Sequence, residues 1–596
     1  MKLTRQQLLA ANKTDGPFLV LAIPGSGKTT MLLERIKNLP VKKDKILSLT
    51  FSRIQARDMK ERFKTKTNNF MTIHAFCYLI IRNYLKKFNK SVRLIEDEKI
   101  YNKYNLVGEI YKKINKSSMS KEDLDLFFRE ISFMKNSLKD LSYRSKVEIK
   151  NIQTIYKYYE AIKRKNHLLD FDDMQVYAYK ILDDKNLLRS IKNKYKYFQL
   201  DEGQDTSLLQ FKILERIVYP ENNLMIVADD DQSIYSFRAA EPSYLLNFRK
   251  HFKNGEILKL DINHRSGENI VNFSKDFISK NKNRYEKIFK ASRKSVDKIV
   301  LKNFKNSKKE FSFIGENLKD NEKTAILYRN NISAISLISY LLKEDIDFNI
   351  DSKVLDFFQS RIFKDLISII KFSKDFSNTE IFEDIYYKIG TFLKKDQLKL
   401  LTHKPVNENI FDFYQEADIK DFQKDSLFNI EKKLKHIRKL SLDKKISFIY
   451  NNLSYKSYIK MISRKNNEET VNKDIYIESA INFTKDLETL DELREKISFL
   501  EKKSKSLIRS NLYLSTIHSS KGLEYDTVFL IDLVKNEFPI IFSDDDRFEK
   551  LEEERRIFYV AITRAKNSLY ILSLKRRNNK KVKPSIFYEE ASHILK

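Results

Sequence analysis

The chain has 596 residues, and its 113 Lys and Arg against 82 Asp and Glu give a formal net charge of +31. A composition of 41% hydrophobic and 12% aromatic residues can form large cores, which excludes wholesale disorder. The single cysteine, Cys77, excludes intramolecular disulfides, iron–sulfur clusters held by cysteine and cysteine-rich zinc sites.

Length and hydropathy favour a multidomain cytoplasmic protein. A chain of this size corresponds to about four domains at roughly 150 residues each. No uncharged apolar run approaches the roughly 20 residues of a membrane span, so we expect no membrane partner. The N-terminal segment, MKLTRQQLLAANK, lacks the apolar core of an export signal.

The net charge of +31 is weaker evidence for a nucleic-acid partner than its magnitude suggests. Lys, Asn, Ile, Phe and Tyr are abundant, whereas the chain has only 10 Gly and 8 Pro, as A/T-rich coding sequences produce. The basic balance is therefore compatible with a polyanionic partner without establishing one, because codon composition explains it equally well.

The first predicted elements are a short buried strand at residues 18–23 and a helix from about Thr30 to Asn38. The sequence that joins them, AIPGSGKTT, is a P-loop with Ala at its first position, where Gly is commoner. Its backbone N–H groups and the helix N-terminus can surround phosphates, Lys28 can reach the β- and γ-phosphates, and the Thr29 hydroxyl can ligate Mg²⁺. The predicted nucleotide-binding residues here are Ala22, Ile23, Pro24, Gly25, Ser26, Gly27, Lys28, Thr29 and Thr30.

A second buried strand is predicted from about Tyr195 to Asp201 and ends in the acidic pair Asp201 and Glu202. Two carboxylates at the carboxyl end of a strand suit one ligand for Mg²⁺ and one group that orients or deprotonates water. We predict that Asp201 holds the metal and that Glu202 is the general base.

A third strand, predicted from Leu224 to Ala228, leads into the loop DDDQSIYSFR at residues 229–238. Gln232 in this loop can sense a γ-phosphate. Tyr235 and Phe237 can present flat faces to bases, although two aromatic residues two positions apart are also common in cores. The mixture of an amide, two aromatic rings and a guanidinium makes this loop a candidate binding site.

The order of these segments resembles that of the UvrD/PcrA/Rep helicases of superfamily one. The resemblance extends over nearly the whole chain and is carried by further segments that are similar to the motifs of the family. In chain order, the matching residues are 3–7, 22–30, 49–62, 72–76, 169–174, 200–206, 228–238, 260–266, 325–330, 515–524, 552–565 and 584–589.

The resemblance implies roles for residues outside the P-loop and the acidic pair. Gln7 is the implied reader of adenine, and Glu524 is an implied contact of the sugar or phosphates of the nucleotide. Arg265 and Arg564 are the implied arginine fingers. His264 lies where the family usually has a tyrosine that stacks on adenine, which predicts weaker nucleotide binding. The residues implied to line a single-strand track are Phe51, His74, Tyr235, Phe237, Arg238 and His518.

The implied architecture is α/β, with two RecA-like P-loop cores in which helices flank parallel sheets. Each core carries an inserted, mainly helical domain. The implied boundaries are 1–88 and 196–263 for core 1A, which binds ATP, 89–195 for insertion 1B, 264–375 and 504–596 for core 2A, and 376–503 for insertion 2B. Strands of 2A are predicted at 325–328, 526–532 and 568–574. Residues 387–390 faintly resemble a family turn that contacts duplex DNA, and an ordinary helix stop explains them as well.

The implied activity is hydrolysis of ATP, with Mg²⁺, coupled to 3′→5′ translocation on single-stranded DNA and to duplex unwinding in DNA repair, replication or recombination. The resemblance puts ATP between the two cores. Two alternatives stay open, a single-strand translocase in a recombination or anti-phage complex and a catalytically silent nucleic-acid-binding subunit. The implied partners are single-stranded DNA and single–double-strand junctions. Whether a partner protein loads the enzyme onto DNA stays open. We expect the enzyme itself to be a monomer or a weak dimer.

Overall fold

The computed structural model describes residues 3–64, 69–98, 101–139, 149–465, 470–506, 510–541, 547–577 and 580–596. The chain divides into two compact units. The first contains Met1–Val296 together with Arg555–Lys566, and the second contains Asp297–Glu554 together with Asn567–Lys596. Each unit is therefore built from separate stretches of the chain.

The main sheet of the first unit is parallel and has six strands. The strands of this unit are β1 (Pro17–Ala22), β2 (Ile46–Thr50), β3 (Phe70–Thr72), β4 (Arg93–Leu94), β5 (Leu168–Leu169), β6 (Tyr197–Leu200), β7 (Leu224–Ala228), β8 (Glu256–Leu260), β9 (Ile262–Gly267) and β10 (Lys290–Arg293). The six-stranded sheet has the order β3-β2-β6-β7-β1-β8, and β4–β5 and β9–β10 form two separate parallel pairs.

The helices of the first unit cover this sheet and form a helical stretch between β4 and β6. They are α1 (Arg5–Ala11), α2 (Lys28–Asn38), α3 (Arg53–Phe63), α4 (Ile73–Lys86), α5 (Lys103–Asn115), α6 (Lys121–Asn136), α7 (Ile152–Lys165), α8 (Phe171–Ile181), α9 (Lys185–Lys194), α10 (Leu208–Val218), α11 (Pro242–Leu246), α12 (Phe248–His251) and α13 (Glu268–Ile278).

The central strands are continuous apolar runs because both faces of the sheet are covered. β1, β2, β6 and β7 are buried along their whole length, as expected of parallel strands between helical layers. In β1, Phe18 and Val20 pack into the core on one face, whereas Leu19 and Leu21 pack into the core on the other. Since β6, β7 and β1 are neighbours, their carboxyl ends bring the three candidate loops to one edge of the sheet.

The structure confirms the strand predicted over 224–228 as β7 and shifts the other predicted bounds slightly. The helix predicted from about Thr30 begins at Lys28, because Gly27 takes a left-handed conformation as the residue before the helix and the P-loop turns directly into α2. The strand predicted to end at Asp201 ends at Leu200, because the chain turns at Glu202, which is also left-handed.

The second unit contains a second six-stranded parallel sheet. Its strands are β11 (Val300–Phe304), β12 (Thr324–Tyr328), β13 (Asn349–Ile350), β14 (Leu512–Thr516), β15 (Tyr525–Leu530), β16 (Ala565–Leu574), β17 (Arg576–Arg577) and β18 (Lys580–Lys581). The sheet order is β11-β16-β15-β12-β14-β13, and β17 and β18 form an antiparallel pair. The strands predicted in this part of the chain are therefore present as β12, β15 and β16.

Helices of 7 to 17 residues make up most of the rest of the second unit. They are α14 (Ser307–Glu316), α15 (Ile332–Lys343), α16 (Arg361–Lys374), α17 (Thr379–Ile385), α18 (Ile410–Glu416), α19 (Asp421–Ile437), α20 (Leu442–Asn452), α21 (Tyr455–Lys465), α22 (Thr470–Thr484), α23 (Leu490–Lys505), α24 (Arg547–Ile562) and α25 (Ile586–Ile594). The boundary between the units crosses α24 and β16. Among the described residues, no helix is both long and apolar enough to cross a membrane. The predicted α/β class with two parallel sheets is confirmed, and the bounds of the inserted domains stay predictions.

Candidate active site

Glycine lets neighbouring side chains pack directly against the P-loop between β1 and α2. Gly25 and Gly27 have φ angles of 68° and 76°, which side chains rarely adopt. A Cβ atom at Gly27 would lie 2.4 Å from Gln7 Nε2, and one at Gly25 would lie 2.7 Å from Arg265 Cβ. Two predicted site residues from other segments therefore contact the loop. The residues that precede it, Ala22 and Ile23, are fully buried.

Gln7 connects α1 to the P-loop through both ends of its amide. Its Nε2 donates to Ser26 O at 2.9 Å, and its Oε1 accepts from the Thr4 N–H at 2.8 Å. The Ser26 hydroxyl is buried and has no hydrogen-bond partner among the described residues. Thr30 Oγ1 accepts from Arg62 Nη2 at 3.0 Å. The loop therefore has a fixed position, with a buried polar atom still to be satisfied.

The segment that follows β8 holds the other side of the loop. Asn263 Nδ2 donates to Pro24 O at 2.8 Å, and the His264 N–H donates to Gly25 O at 2.9 Å. The His264 ring is exposed, and its Nδ1 lies 3.0 Å from Ser292 Oγ. The ring is therefore open to a stacking partner, and its predicted contact with adenine stays a prediction.

Asp201 and Glu202 lie opposite the first residues of α2. Thr29 Oγ1 donates to Asp201 Oδ2 at 3.4 Å, and Lys28 Nζ is 3.5 Å from Glu202 Oε2. Burial raises the pKa of Asp201 to about 7, and the charge of Glu202 adds to this shift while Lys28 opposes it. A bound cation would stabilise the ionised form of Asp201, which burial disfavours. Thr29 and Asp201 offer the oxygen ligands that Mg²⁺ prefers. The residues present therefore fit the predicted metal.

Gln204, which the sequence analysis missed, holds the predicted general base. Its Nε2 donates to Glu202 Oε2 at 2.5 Å, and its Oε1 accepts from the Asp229 N–H at 3.0 Å. Its main-chain carbonyl accepts from Ser233 Oγ at 3.1 Å, and its side chain is fully buried. The amide therefore joins the acidic pair to the loop that follows β7. In the sequence, only its position in the acidic segment DEGQD at residues 201–205 could have indicated that Gln204 belongs to the site.

Two predicted catalytic residues from distant segments, Gln232 and Arg265, meet at Thr563, which directly precedes the third, Arg564, and all lie in the first unit. Gln232 Nε2 donates to Thr563 Oγ1 at 3.2 Å, and Arg265 Nη1 donates to Thr563 O at 3.1 Å. Arg564 Nη2 donates to Thr563 Oγ1 at 3.1 Å, and its Nε donates to Val560 O at 3.0 Å. Both predicted arginine fingers therefore belong to the same compact unit as the P-loop.

Four residues predicted to line a single-strand track form an aromatic and cationic cluster, which we call the strand cluster. Phe51 stacks on Tyr235 with ring centroids 4.9 Å apart and planes 21° apart, and Tyr235 meets Phe237 edge to face at 5.8 Å. The Arg238 guanidinium lies 5.4 Å from the centroid of Tyr235 and 5.7 Å from that of Phe237. Phe237 is 41% exposed, so its ring can meet a base from solvent.

His74, also predicted to contact the strand, is a neutral ring. Gln175 Nε2 on α8 lies 3.0 Å from His74 Nε2, and an amide nitrogen can only donate, so the ring nitrogen accepts. Burial, followed by the positive charges of Arg238 and Arg53, lowers the pKa of His74 to about 4. Near neutral pH, His74 therefore offers a polar ring to the strand rather than a positive charge.

A buried ion cluster, also missed from the sequence, anchors the start of the loop that follows β7. Lys287 Nζ lies 2.5, 2.7 and 2.7 Å from carboxylate oxygens of Asp229, Asp230 and Asp231. Arg284 Nη2 lies 2.7 Å from Asp231 Oδ2. Burial lowers the pKa of Lys287, but the three carboxylates outweigh it and raise the value overall. The ammonium group thus takes the place that a metal ion could take among these acids.

The remaining two predicted site residues, His518 and Glu524, belong to the second unit. Both are half-buried and lie between β14 and β15. Their predicted contacts, with the DNA strand and with the nucleotide, stay predictions.

Comparisons with known proteins agree with this geometry. Residues 3–253 match the pattern described as the UvrD/REP helicase N-terminal domain, and residues 258–576 match the UvrD-like helicase C-terminal domain. The chain is 28% identical to YjcD of Bacillus subtilis (strain 168) over 98% of its length and 80% of that protein. It is 30% identical to the DNA helicase II homologue of Mycoplasma capricolum, covering 100% of this chain and 88% of the relative. The ATP-dependent DNA helicase PcrA of Staphylococcus aureus (strain Mu50) is 29% identical, over 95% of this chain and 82% of PcrA.

Proposed function

This chain belongs to the UvrD/REP family of ATP-dependent DNA helicases, and we propose that it moves 3′→5′ along single-stranded DNA and unwinds duplex DNA ahead of it. The proposed substrates are single-stranded DNA and single–double-strand junctions, and the proposed settings are DNA repair, replication or recombination. The active form is a monomer or a weak dimer. The similarity of most of this chain to PcrA, which is named an ATP-dependent DNA helicase, supports the unwinding part of the proposal.

The observation that carries the proposal is that Gln232 and Arg265 both contact Thr563, the residue before Arg564, so that the three predicted catalytic residues lie together. These residues are far apart in sequence, yet they share a compact unit with the P-loop and the acidic pair. A catalytically silent DNA-binding subunit has no need for this arrangement. Nucleotide hydrolysis requires a phosphate cradle, a general base and cationic groups for the charge that develops on the γ-phosphate.

The chain's own residues can be assigned to each task of hydrolysis. Lys28 and the P-loop N–H groups bind the phosphates. Thr29 and Asp201 would hold Mg²⁺, which would neutralise charge on the phosphate oxygens. A water oxygen bonds to the γ-phosphorus as the bond to the β–γ bridging oxygen breaks. Glu202 orients this water and accepts its proton.

The arginines and the amide connect hydrolysis to DNA. Arg265 and Arg564 neutralise charge on the γ-phosphoryl group, and arginines in this role contribute about 10³–10⁵-fold to turnover. Gln232 lies in the same loop as Tyr235 and Phe237, so a shift of its amide on phosphate release moves the strand cluster. Stacking of about 1–3 kcal/mol per base grips the strand without reading its sequence.

Lys28→Ala tests the hydrolytic part of the proposal. We expect phosphate release to be lost while binding of single-stranded DNA persists. The matched control is Lys37→Ala, because Lys37 is an exposed lysine on the same helix that pairs with Glu34 at 2.8 Å. Undiminished hydrolysis in Lys28→Ala would contradict the assignment of the phosphate site.

Strand displacement tests the helicase part and its direction. We expect displacement on duplexes with a 3′ single-stranded tail and little on duplexes with a 5′ tail. DNA-stimulated hydrolysis without displacement on either substrate favours the alternative, a translocase that serves a recombination or defence complex. Displacement from 5′ tails alone contradicts the proposed direction.

A further inference from the structure

The segment at residues 281–287 lies between α13 and β10 and contacts two separate parts of the candidate active site. On one side it meets the part of α24 that leads to Arg564. On the other side it meets the loop that follows β7, which carries Gln232. All three parts belong to the first unit. We call residues 281–287 the brace segment.

Two arginines of α24 hold the first residues of the brace segment. Arg555 Nη1 donates to Asn281 Oδ1 at 3.1 Å, and Arg556 Nη2 donates to Asn283 O at 3.0 Å. Arg555 and Asn281 are 4% and 3% exposed, so the hydrogen bond between them is shielded from water. Because α24 ends two residues before Arg564, the brace segment is fixed to the helix that leads to a predicted arginine finger.

The later residues of the brace segment hold the loop that follows β7. Arg284 forms a bidentate pair with Asp231, in which Nε donates to Oδ1 at 2.8 Å and Nη2 donates to Oδ2 at 2.7 Å. The Tyr285 N–H donates to Asp230 Oδ2 at 2.8 Å. Asp230, Asp231 and Gln232 form one 3₁₀ turn. The brace segment therefore fixes the residue directly before the predicted sensor of the γ-phosphate.

The charges in this contact favour a fixed geometry more than they favour stability. The side chains of Lys287 and Asp231 are 1% and 0% exposed. Charges are costly to remove from water, and packed apolar residues can often replace a buried ion pair without loss of stability. A bidentate arginine pair, in contrast, fixes both distance and orientation. The brace segment is therefore suited to keeping α24 and the loop in one relative position.

The direct contact between the loop and the residues after α24 is weaker than the contact through the brace segment. Gln232 donates to Thr563 Oγ1 at 3.2 Å, which is a bond between neutral groups. Bonds to charged groups contribute more than neutral ones. The same loop carries Tyr235 and Phe237 of the strand cluster. A displacement of α24 therefore reaches the strand cluster mainly through the brace segment.

We infer that the brace segment couples nucleotide binding to strand binding, with Asn281 and Arg284 as its positioning residues. This inference rests on the proposed function and adds residues that contact the two sites only through other residues. A nucleotide that draws Arg564 towards its γ-phosphate displaces the end of α24. The brace segment makes the loop follow, so the strand cluster changes its hold on DNA.

Interrupting either end of the brace segment tests the inference. Asn281→Ala removes the bond to α24, and Arg284→Gln removes the bidentate pair with Asp231. The matched control is Arg216→Gln, which removes a pair with Asp183 at 2.7 Å elsewhere in the same unit. The double variant Asn281→Ala/Arg284→Gln and the conservative variant Arg284→Lys complete the set.

The measured quantity is the coupling factor between nucleotide and DNA. Fluorescence anisotropy gives the affinity for a labelled oligothymidylate with and without a nonhydrolysable ATP analogue, and the ratio of the two affinities is the factor. The reciprocal experiment, analogue affinity with and without DNA, must give the same factor. Thermal unfolding shows which variants are folded. If Arg284→Gln does not fold, Asn281→Ala, which removes a single bond, decides the question.

The expected result is a loss of coupling without a loss of binding. Couplings between sites are typically about 5–150-fold, and we expect the parent and Arg216→Gln to lie in this range. Asn281→Ala and Arg284→Gln should each lose most of the factor while binding DNA alone and the analogue alone as the parent does. The double variant should lose no more than either single variant, because both changes interrupt one connection. Arg284→Lys, which keeps the charge, should recover part of the factor.

The outcomes separate this inference from the proposed function. If the parent shows coupling and hydrolyses ATP faster with single strands, but both single variants keep the parental factor, only the role of the brace segment is overturned. Losses that add in the double variant also overturn it, because independent sites behave in this way. A parent without coupling and without DNA-stimulated hydrolysis overturns both the inference and the proposed function.

Discussion

Replacing Gln204 by methionine tests whether this amide positions the general base. The change keeps the length of the side chain but removes its donor and acceptor. Glu202 Oε2 loses a partner at 2.5 Å, and the Asp229 N–H loses its acceptor at 3.0 Å. Among the described residues, Gln204 has no hydrogen bond to the P-loop, so nucleotide binding should be spared.

The expected magnitude follows from the charge on Glu202. A hydrogen bond to a charged group contributes about 1.5–3 kcal/mol, and each 1.4 kcal/mol corresponds to about a tenfold change in rate. We therefore expect kcat to fall about 10–150-fold, with KM for ATP close to that of the parent. The free energy of unfolding should also fall by about 1–3 kcal/mol, because the Asp229 N–H is left buried without an acceptor.

Gln210→Met is the matched control for this loss of stability. Gln210 Oε1 accepts from the Ser207 N–H at 3.2 Å at the start of α10, and the residue is 7% exposed. Its replacement removes a similar bond from the same region without reaching Glu202. Steady-state hydrolysis with saturating single-stranded DNA and thermal unfolding are measured for both variants. Equal losses of kcat in the two variants, or a higher KM with unchanged kcat in Gln204→Met, would refute the positioning role.

Three further predictions concern the strand cluster, the adenine site and pH. Phe237→Ala should weaken single-strand binding by about 1–3 kcal/mol with little change in basal hydrolysis, and a loss confined to basal hydrolysis would contradict the track. His264→Tyr should lower the apparent KM for ATP, because a larger ring stacks on adenine, and an unchanged KM would count against stacking. The folded-state pKa of His74, about 4, lies below its ordinary value of 6.5, so the unfolded chain takes up the proton first. Above pH 6.5 the neutral His74 ring therefore contributes at most about 3 kcal/mol to the free energy of unfolding. This contribution is lost as the pH falls from 6.5 towards 4. His74→Asn should therefore flatten the acid loss of unfolding free energy in denaturant titrations, and an unchanged profile would contradict the buried neutral ring.

Local patterns in the sequence were sufficient for the strands and for the position of the loops that follow them. The P-loop, the acidic pair and β7 were predictable because each depends on short-range features, namely a buried apolar run followed by glycines or acids. The first residue of α2 was not predictable, because it depends on the left-handed conformation of Gly27. The resemblance to helicases then supplied Arg265 and Arg564 as candidates, which no local pattern distinguishes from surface arginines.

Only the tertiary structure decided which of these groups meet. Thr563 as the shared partner of Gln232 and Arg265, Gln204 as the link from Glu202 to Asp229, and Lys287 among three aspartates all join segments that are separated in the chain. The brace segment likewise depends on how residues 281–287 lie between α24 and the loop that follows β7. A sequence encodes the period and the turns of its own segments, whereas these contacts depend on the order of strands in the sheet and on side-chain packing between segments far apart in the chain.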